Sequence, residues 1–390
     1  MKITLFMAVG ILLMPIGASA GNKHDIEVMT QNQYLGADLT PIVAAADPAA
    51  FNAAVIAALQ SIANNNLPER VNALAESIAD RNPHLVGLQE VYSFSCSETG
   101  TIPDACFLFD AAFNNHLTAT LAALSDHGAD YYVAAQVQNL TLPGLPVFLD
   151  LDTIPDMLIT VIDRDVILAR GDVDAAPVSF GCTRASVDGC NFSEASTVTV
   201  DTALGVPISI ERGFVGVDAL VNGNHYRFVN THLEVQFPAP DPLAPFFQAA
   251  QATELLLTLT FTTPPGTRLL VLGDINSSPD DPLFPHPVLG PFRNPYQQLS
   301  TGTLIDGTPV TVPYTDTWNL RPGKPPGDTC CQLAELSNPL SIHDERIDVI
   351  FALPAPARVK ANVLDDEPDD KTASNLWPSD HSSVSGRLNY

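Results

Sequence analysis

The sequence predicts a layered protein in which helices and strands are mixed, of the α/β or α+β class. Ile26–Thr30 and Leu85–Leu88 are short apolar runs of the kind found in buried strands. Between them, Glu69–Asp80 carries apolar residues at helical spacing on one face, and Asn82-Pro83 ends this helix. A strand, helix, strand order indicates packed layers of sheet and helix.

The remaining elements follow from the same patterns. Pro48–Ala63 is rich in alanine and predicts a helix, as does Gln248–Leu259, whereas Pro177–Glu194 has no clear structure. Strand-like segments joined by Gly, Asp or Asn turns are Leu158–Ile162, Val166–Ala169, Thr197–Val200, Val215–Leu220, Tyr226–Asn230, Leu269–Leu272, Arg346–Phe351 and Ser383–Leu388. With neither a repeat nor a clear linker, we expect residues 21–390 to form one domain.

Residues 1–20 resemble a secretory signal peptide. Lys2 precedes an apolar run, and Ala18-Ser19-Ala20 is a small-residue cleavage signal before Gly21. A membrane anchor is the alternative, although glycines and a proline interrupt the short apolar run. We therefore expect a secreted or periplasmic protein.

The chain is strongly acidic. It has 18 basic and 44 acidic residues, which gives a formal net charge of −26. A field of this sign repels polyanions, and no cluster of Lys and Arg offers a track for phosphates, so tight nonspecific nucleic-acid binding is disfavoured. A phosphate substrate stays compatible because a bound divalent cation inverts the local potential. Solubility in a salty habitat explains the acidity equally well.

The six cysteines fall into three pairs close in sequence: Cys96 and Cys106, Cys182 and Cys190, Cys330 and Cys331. In a secreted chain we expect the first two pairs to form local disulfides. Three states stay open for the adjacent pair: a vicinal disulfide, two free thiols, or pairing elsewhere. A structural zinc site is disfavoured because no CxxC spacing is present.

Polar residues stand at the ends of several apolar strands. In Val271–Asp281 (VLGDINSSPDD), Asp274 and Asn276 follow a buried run, although the same residues would also build an Asx turn. The comparable positions are Asn32, Glu90, His232, Asp348, Asp380 and His381. If these strand ends share one side of the sheets, carboxylates, amides and two imidazoles meet in one cleft. That composition suits metal-assisted hydrolysis of a phosphoester, and oxygen ligands favour Mg²⁺, Mn²⁺ or Ca²⁺.

The segments NQYLGAD, LQEV, NTHLE, GDIN, RIDVIF and SDH occur in the order seen in the endonuclease/exonuclease/phosphatase superfamily, which the chain resembles from about Ile26 to Leu388. Relatives include pancreatic-type deoxyribonucleases, inositol polyphosphate phosphatases and bacterial sphingomyelinases. The resemblance implies a four-layer sandwich of two packed mixed β-sheets flanked by helices. It also implies a divalent metal ion, with Mg²⁺ the first expectation.

The resemblance assigns metal-site roles to three residues. Glu90 in LQEV matches the principal metal-binding glutamate, and Asn32 matches the amide that supports this site or a phosphate oxygen. Asp380 in SDH is expected to touch the same or a second metal. For Asn32 and Asp380, turn formation is the alternative reading.

Five further positions match catalytic groups. Asp274 would orient or deprotonate the attacking water, and Asn276 would hold the phosphate. His232 would stabilise charge on the phosphoryl oxygens. His381 matches the catalytic histidine and Asp348 its orienting carboxylate.

Several other residues are weaker candidates. Arg212 either faces the substrate or pairs with an acid, while Asp38 and Asp316 either line the cleft or cap turns. The acidic run Asp365–Asp370 is expected to be a solvated loop, with calcium binding as the alternative. His343 receives no role.

The expected function is that of a secreted metal-dependent phosphoesterase acting on a lipid head group or a small phosphoester. An extracellular nuclease is an alternative that would need a basic track, and an inactive binding protein on the same fold is another. Contact with a membrane surface would need an exposed apolar loop, for which Phe237, Phe246 and Phe247 are candidates, unless they form loop core. We expect a monomer.

Overall fold

The computed structural model describes residues 25–100, 102–150, 154–203, 205, 207–236, 244–285, 290–323 and 325–390. The predicted signal peptide and Phe237 lie outside these residues. Within them, no helix combines the length and the apolar character needed to cross a bilayer.

Strands hold more residues than helices in the described fold. In chain order they are β1 (Asp25–Asn32), β2 (Leu85–Gln89), β3 (Ser93–Glu98), β4 (Tyr131–Val147), β5 (Met157–Arg170), β6 (Asp174–Pro177), β7 (Ala185–Ser186), β8 (Gly189–Asn191), β9 (Val198–Asp201), β10 (Pro207–Ile210), β11 (Gly213–Val221), β12 (Asn224–His232), β13 (Arg268–Asp274), β14 (Thr315–Asp316), β15 (Asp348–Leu353), β16 (Arg358–Leu364) and β17 (Ser383–Asn389).

The α-helices of the described chain are α1 (Thr40–Val43), α2 (Pro48–Asn64), α3 (Leu67–Arg81), α4 (His116–Asp126), α5 (Ala244–Thr262) and α6 (Pro295–Thr301). Asp47 and Asn115 cap α2 and α4 by accepting hydrogen bonds from backbone N–H groups of the first turn. In α6, Asn294 and Gln297 form a reciprocal capping box, and Gly302 ends the helix in the left-handed conformation.

The strands form two mixed sheets. The first has the order β16-β17-β1-β2-β5-β3, with β4 also paired to β5. The second has the order β14-β15-β13-β12-β11-β8-β7, with β6 paired to β11. In each, one central pair is parallel, β1 with β2 and β12 with β13. Strands β9 and β10 form a separate two-stranded hairpin.

The two sheets pack face to face with helices outside them. Leu270 and Leu272 of β13 belong to the core between the sheets, whereas Leu269 and Val271 pack among α5 side chains. In β1, Val28 likewise faces the other sheet, while its neighbour Met29 lies with residues of α3 and α4. Because both faces of these strands are buried, their sequences are continuous apolar runs. This arrangement confirms the predicted four-layer sandwich.

One polar side chain joins the sheets inside this core. Asn230 of β12 donates its amide hydrogens to the carbonyl oxygens of Leu88, at 2.9 Å, and Val166, at 3.1 Å, both in the first sheet. Its own oxygen accepts a hydrogen bond from Gln89. At Gly87, an added Cβ would lie 2.7 Å from the Asn230 oxygen, so only glycine permits this close approach.

Two predictions of local structure were wrong, and two elements were not predicted. Leu158–Ile162 and Val166–Ala169 are parts of one strand, β5, and strand β4 and helix α4 were not anticipated. The Cys-containing segment Pro177–Glu194 holds the short strands β7 and β8 rather than irregular chain alone. The acidic segments inside β5 resembled a turn because two buried carboxylates are unusual in a strand interior.

The cysteine pairs Cys96–Cys106 and Cys182–Cys190 form the predicted local disulfides. Cys330 and Cys331 are bonded to each other, which selects the vicinal disulfide among the three open states.

Candidate active site

The central strands bring their polar ends to the same edge of the sandwich. In the second sheet, His232 is in register with Asp274, and Asp274 with Asp348. In the first sheet, Asn32 is in register with Gln89, directly before Glu90. Residues predicted from separate motifs therefore meet because parallel neighbours end together and antiparallel β15 begins there.

Glu90 is held in place on both carboxylate oxygens. It follows β2 with a left-handed backbone, at φ 55°. One oxygen accepts a hydrogen bond from the Asn32 amide at 3.1 Å, and the other accepts from the backbone N–H of Leu35 at 2.8 Å. The carboxylate is thereby oriented without being sealed off, since Glu90 is only partly buried.

Asp274 is the centre of the cluster. One oxygen accepts from the backbone N–H of Asn276 at 2.9 Å, and the other accepts from the Asn32 amide at 3.1 Å. Burial raises its pKa to about 7, with His381 opposing this shift and Asp348 adding to it. The preceding Gly273, at φ 134°, admits no side chain because a Cβ would collide with the carbonyl oxygen of Thr231.

His381 and Asp348 form a tight pair. His381 Nδ1 lies 2.8 Å from Asp348 Oδ2, and His381 Nε2 lies 3.8 Å from Asp274 Oδ2. Burial by itself would lower the pKa of His381, but Asp348, Asp274 and Asp380 outweigh it and hold that pKa well above its ordinary value. His381 is therefore an imidazolium at neutral pH, with Nδ1–H donated to Asp348.

His232, unlike His381, is uncharged. Burial, Arg212 and His381 lower its pKa well below the ordinary value, so this imidazole is neutral. Arg212 can only donate, and its Nη1 lies 3.1 Å from His232 Nδ1, so the histidine proton is on Nε2. That nitrogen lies 3.5 Å from Asp274 Oδ2. Arg212 also lies 3.4 Å from buried Glu234, so it pairs with an acid, which is one of the two roles expected for it.

The remaining predicted residues adjoin this cluster. Asn276 adopts the left-handed conformation and donates its side-chain amide to the Leu233 carbonyl at 2.9 Å, so it forms the turn and also fixes Asp274. Burial raises the pKa of Asp380 to about 7, with Glu90 and Asp348 adding to the shift and His381 and Arg70 opposing it.

The oxygen donors fit a hard divalent cation. Glu90 and Asp380 would hold such an ion beside Asp274. Burial is the main cause of the raised pKa values of Asp274 and Asp380, with neighbouring carboxylates adding to it, and a cation would stabilise the charged form of both. Asn32 is expected to support the metal site or a phosphate oxygen. Its amide nitrogen faces Glu90 and Asp274, while its oxygen accepts from the Tyr34 backbone, so Asn32 positions the carboxylates.

Sequence reasoning missed two buried carboxylates next to the cluster. Asp163 and Asp165 of β5 lie on the same face of the strand, the one toward the other sheet. Asn139 donates to Asp165 at 2.8 Å. Burial raises the pKa of Asp163 to about 7, against the opposing effect of Arg212 and with a further contribution from Glu90. Two acidic residues at i and i+2 inside an apolar strand were the signal that could have found them.

The weaker candidates have structural roles. Asp38 accepts from the Thr40 backbone in a turn, and buried Asp316 lies 2.7 Å from Arg346. His343 contacts the Asp380 carbonyl oxygen at 3.2 Å, so it supports the SDH segment. Phe246 lies in α5, not in a loop, and packs against Phe292 in a small apolar cluster.

The acidic run Asp365–Asp370 was predicted to be a solvated loop. The prediction is wrong for Asp365, which is buried. Its carboxylate accepts hydrogen bonds from the hydroxyl groups of Ser77 and Ser383.

Comparisons with known proteins find distant similarity to solved structures. No protein-family model and no curated protein sequence matches the chain. Solved structures similar to it include truncated Caenorhabditis elegans TDP2, with 13% identity, TM-score 0.47, and coverage of 94% of this chain and 98% of that one. An endonuclease/exonuclease/phosphatase from Beutenbergia cavernae has 18% identity and TM-score 0.46, covering 94% and 72%. The Bacteroides thetaiotaomicron mannosyl-6-phosphatase Bt3783 has 14% identity and TM-score 0.47, covering 94% and 100%. At these identities and scores, any assignment of activity depends on the site's own residues.

Chemically, the site combines a carboxylate group able to hold a cation, a central buried carboxylate, one neutral imidazole and one imidazolium. Such a set can bind a phosphate group, orient a water molecule and stabilise negative charge that develops on oxygen.

Proposed function

We propose that the chain is a metal-dependent phosphoesterase that hydrolyses its substrate by in-line attack of water on phosphorus. The observation that carries this proposal is the continuous set of contacts around Asp274. It joins Asn32 and Glu90 of the first sheet to His232, Asp348 and His381 near the second. Neither packing nor turn formation requires one neutral imidazole and one imidazolium beside the same buried carboxylate.

Each residue has a distinct task in this proposal. Asp274, with a pKa near 7, orients the attacking water and accepts its proton. The His381 imidazolium, fixed by Asp348, stabilises charge on the phosphoryl oxygens, and neutral His232 donates its Nε2–H to the same region. A divalent cation at Glu90, which we propose to be Mg²⁺, would supply further neutralisation of that charge.

We further propose that the substrate is a phosphoester carrying an apolar group, such as a lipid head group with its chain. An apolar cavity of about 130 Å³ lies between α2 and strands β4 and β5. Leu35 forms part of its wall and also donates its backbone N–H to Glu90, so cavity and site share a residue. A larger groove of about 850 Å³ adjoins it through Leu140, Leu142 and Leu145.

Location and assembly are proposed from the sequence. Residues 1–20 support export to the periplasm or the exterior, and we propose a monomer that meets its substrate at or near a membrane surface. A nuclease receives less support, because the chain is strongly acidic and its sequence has no Lys/Arg cluster.

The reaction class is tested by hydrolysis of an aryl phosphodiester with Mg²⁺, Mn²⁺, Ca²⁺ or a chelator, with plasmid DNA and sphingomyelin as further substrates. We expect metal-dependent turnover that is lost in His381→Ala and Glu90→Ala but kept in His127→Ala, an exposed histidine bonded to Asn72. Metal binding by folded protein without turnover of any phosphoester would refute the proposal.

The substrate class is tested by narrowing the cavity. Leu142→Trp should raise KM for a long-chain phosphodiester and leave the aryl phosphodiester unaffected, because only the long chain enters the cavity. Tyr132→Trp places the same tryptophan side chain elsewhere on β4 and serves as the control. Equal effects of Leu142→Trp on both substrates would contradict an apolar-chain site while leaving the phosphoesterase reaction intact.

A further inference from the structure

The vicinal cysteines lie directly against the catalytic histidine proposed above. Cys331 Sγ is 3.9 Å from His381 Nε2. The two sulfurs and one ring nitrogen of His381 all lie within 4.8 Å of one another. Cys331 is exposed and Cys330 is buried, so one sulfur can be reached from solvent.

Backbone hydrogen bonds fix this arrangement independently of the sulfur–sulfur bond. On one side of the cysteines, Thr329 accepts from the Ser382 N–H at 2.8 Å. On the other side, the Gln332 N–H donates to the Asp380 carbonyl at 2.9 Å. The Thr329 hydroxyl also accepts from the Asp348 N–H at 3.2 Å. The cysteines are therefore tied to both residues of the His381–Asp348 pair.

We propose that Cys330, Cys331 and His381 form a second metal site, for a soft cation such as Zn²⁺, that exists only when the two cysteines are reduced. Thiolates and imidazole nitrogen are the ligands that zinc prefers, whereas the carboxylates of the first site suit hard cations. His381 is already oriented for this role, because Nδ1 is committed to Asp348 and Nε2 faces the sulfurs. A carboxylate behind a metal-binding histidine is the usual supporting contact.

A small thiol can reduce the Cys330–Cys331 disulfide. Two thiol molecules supply two electrons and two protons, the Cys330–Cys331 bond breaks into two thiols, and the reductant leaves as its own disulfide. Binding of Zn²⁺ then displaces the two thiol protons and the Nε2 proton of His381 to solvent. The disulfide form offers no thiolate and leaves His381 free.

The site would make hydrolysis sensitive to both redox state and zinc. Zinc bound at Nε2 removes the imidazolium that faces Asp274, so reduced protein should be inhibited by Zn²⁺ and oxidised protein should not. This inhibition depends on the proposed function, but the metal binding does not, and it can be measured in protein without activity.

The experiment uses Cd²⁺ as a spectroscopic stand-in for zinc, added to full-length mature protein before and after reduction. We expect a thiolate-to-cadmium charge-transfer band in reduced protein that is absent from oxidised protein. Cys330→Ser/Cys331→Ser should lose the band, whereas Cys182→Ser/Cys190→Ser, a matched pair distant in sequence, should keep it.

His381→Ala should keep the band but weaken Cd²⁺ binding, and cadmium NMR of the reduced wild type should report two sulfurs and one nitrogen. If the double serine variant does not fold, alkylation of Cys331 in folded reduced protein replaces it and should likewise remove the band. A band that survives loss of both cysteines, or an affinity indifferent to His381, would overturn the site.

Discussion

The site has two halves, one containing His232 and the other containing His381. Both histidines approach the same carboxylate oxygen, but they differ in charge. His232 lies 3.5 Å and His381 lies 3.8 Å from Asp274 Oδ2. The first has a cation, Arg212, behind its ring, and the second has an anion, Asp348. Burial and Arg212 lower the pKa of His232, whereas Asp348 and Asp274 together raise the pKa of His381, so the different groups behind the two rings help to separate their charges.

Each half also contains a buried ion pair, Arg212 with Glu234 and His381 with Asp348. Arg212 neutralises Glu234, which is fully buried, so the His232 half contains an ion pair that the fold needs. The His381 half lies beside exposed Cys331 and partly buried Asp380. Its cation is the one that can act on a substrate.

The largest expected effect is that of His381→Ala on turnover. Loss of the imidazolium should lower kcat by about 10²- to 10⁴-fold, as for other positioned acid–base groups. It should also lower the free energy of unfolding, because buried Asp348 loses its partner. Single-turnover kinetics and chemical denaturation measure the two quantities. A kcat within a few-fold of wild type would place the chemistry in the other half.

Arg212→Met should act mainly by destabilising the protein. Removing one partner of a buried ion pair costs about 3–5 kcal/mol because Glu234 stays charged and unpaired. Arg212→Met/Glu234→Gln should regain much of that loss in urea denaturation. A single variant as stable as wild type would show that the pair does not hold this half together.

Asp348→Asn should move the pH dependence of hydrolysis. The raised pKa of His381 keeps the imidazolium present at neutral pH, and activity should fall as pH rises through that pKa. Without the Asp348 charge, this fall should move to lower pH by roughly 1–3 units. The pH profile of kcat/KM and NMR titration of His381 measure the shift, with Asp38→Asn as the control; an unmoved profile would exclude His381 as the titrating group.

Glu90→Gln should give the smallest effect, and it belongs to neither half. The side chain keeps its shape and its contact with Leu35 but loses its charge, so divalent metal affinity should fall by about 10–100-fold. Calorimetric titration with Mg²⁺ or Mn²⁺ measures this change. Glu69→Gln, an exposed acid bonded to Ser374, should bind metal like wild type.

The sequence predicted the sandwich and its candidate site because both depend on local patterns. Apolar runs ending in polar residues identified β1, β2, β12 and β13, and sheet register then brought those ends together. The charge states of His232 and His381 could not be predicted from local patterns. They depend on neighbours that are distant in sequence, Arg212 for His232 and Asp348 for His381.

Strand β4 shows why other elements were missed. Its second half contains Pro143, Gly144 and Pro146, which are typical of loops. In the structure, register shifts between Gln138 and Leu140 and between Leu142 and Leu145 accommodate these residues against β5. Bulges are a property of the paired strands, so neither strand alone reveals them.

Asn230 has a consequence that extends beyond the core in which it lies. Glu90 and Asp274 belong to different sheets, so their separation depends on how far one sheet can slide across the other. Asn230 of β12 hydrogen-bonds to carbonyl groups of β2 and β5 and so restricts sliding of one sheet relative to the other. Alignment of the metal-binding and water-orienting carboxylates is thus maintained by a residue that contacts neither of them.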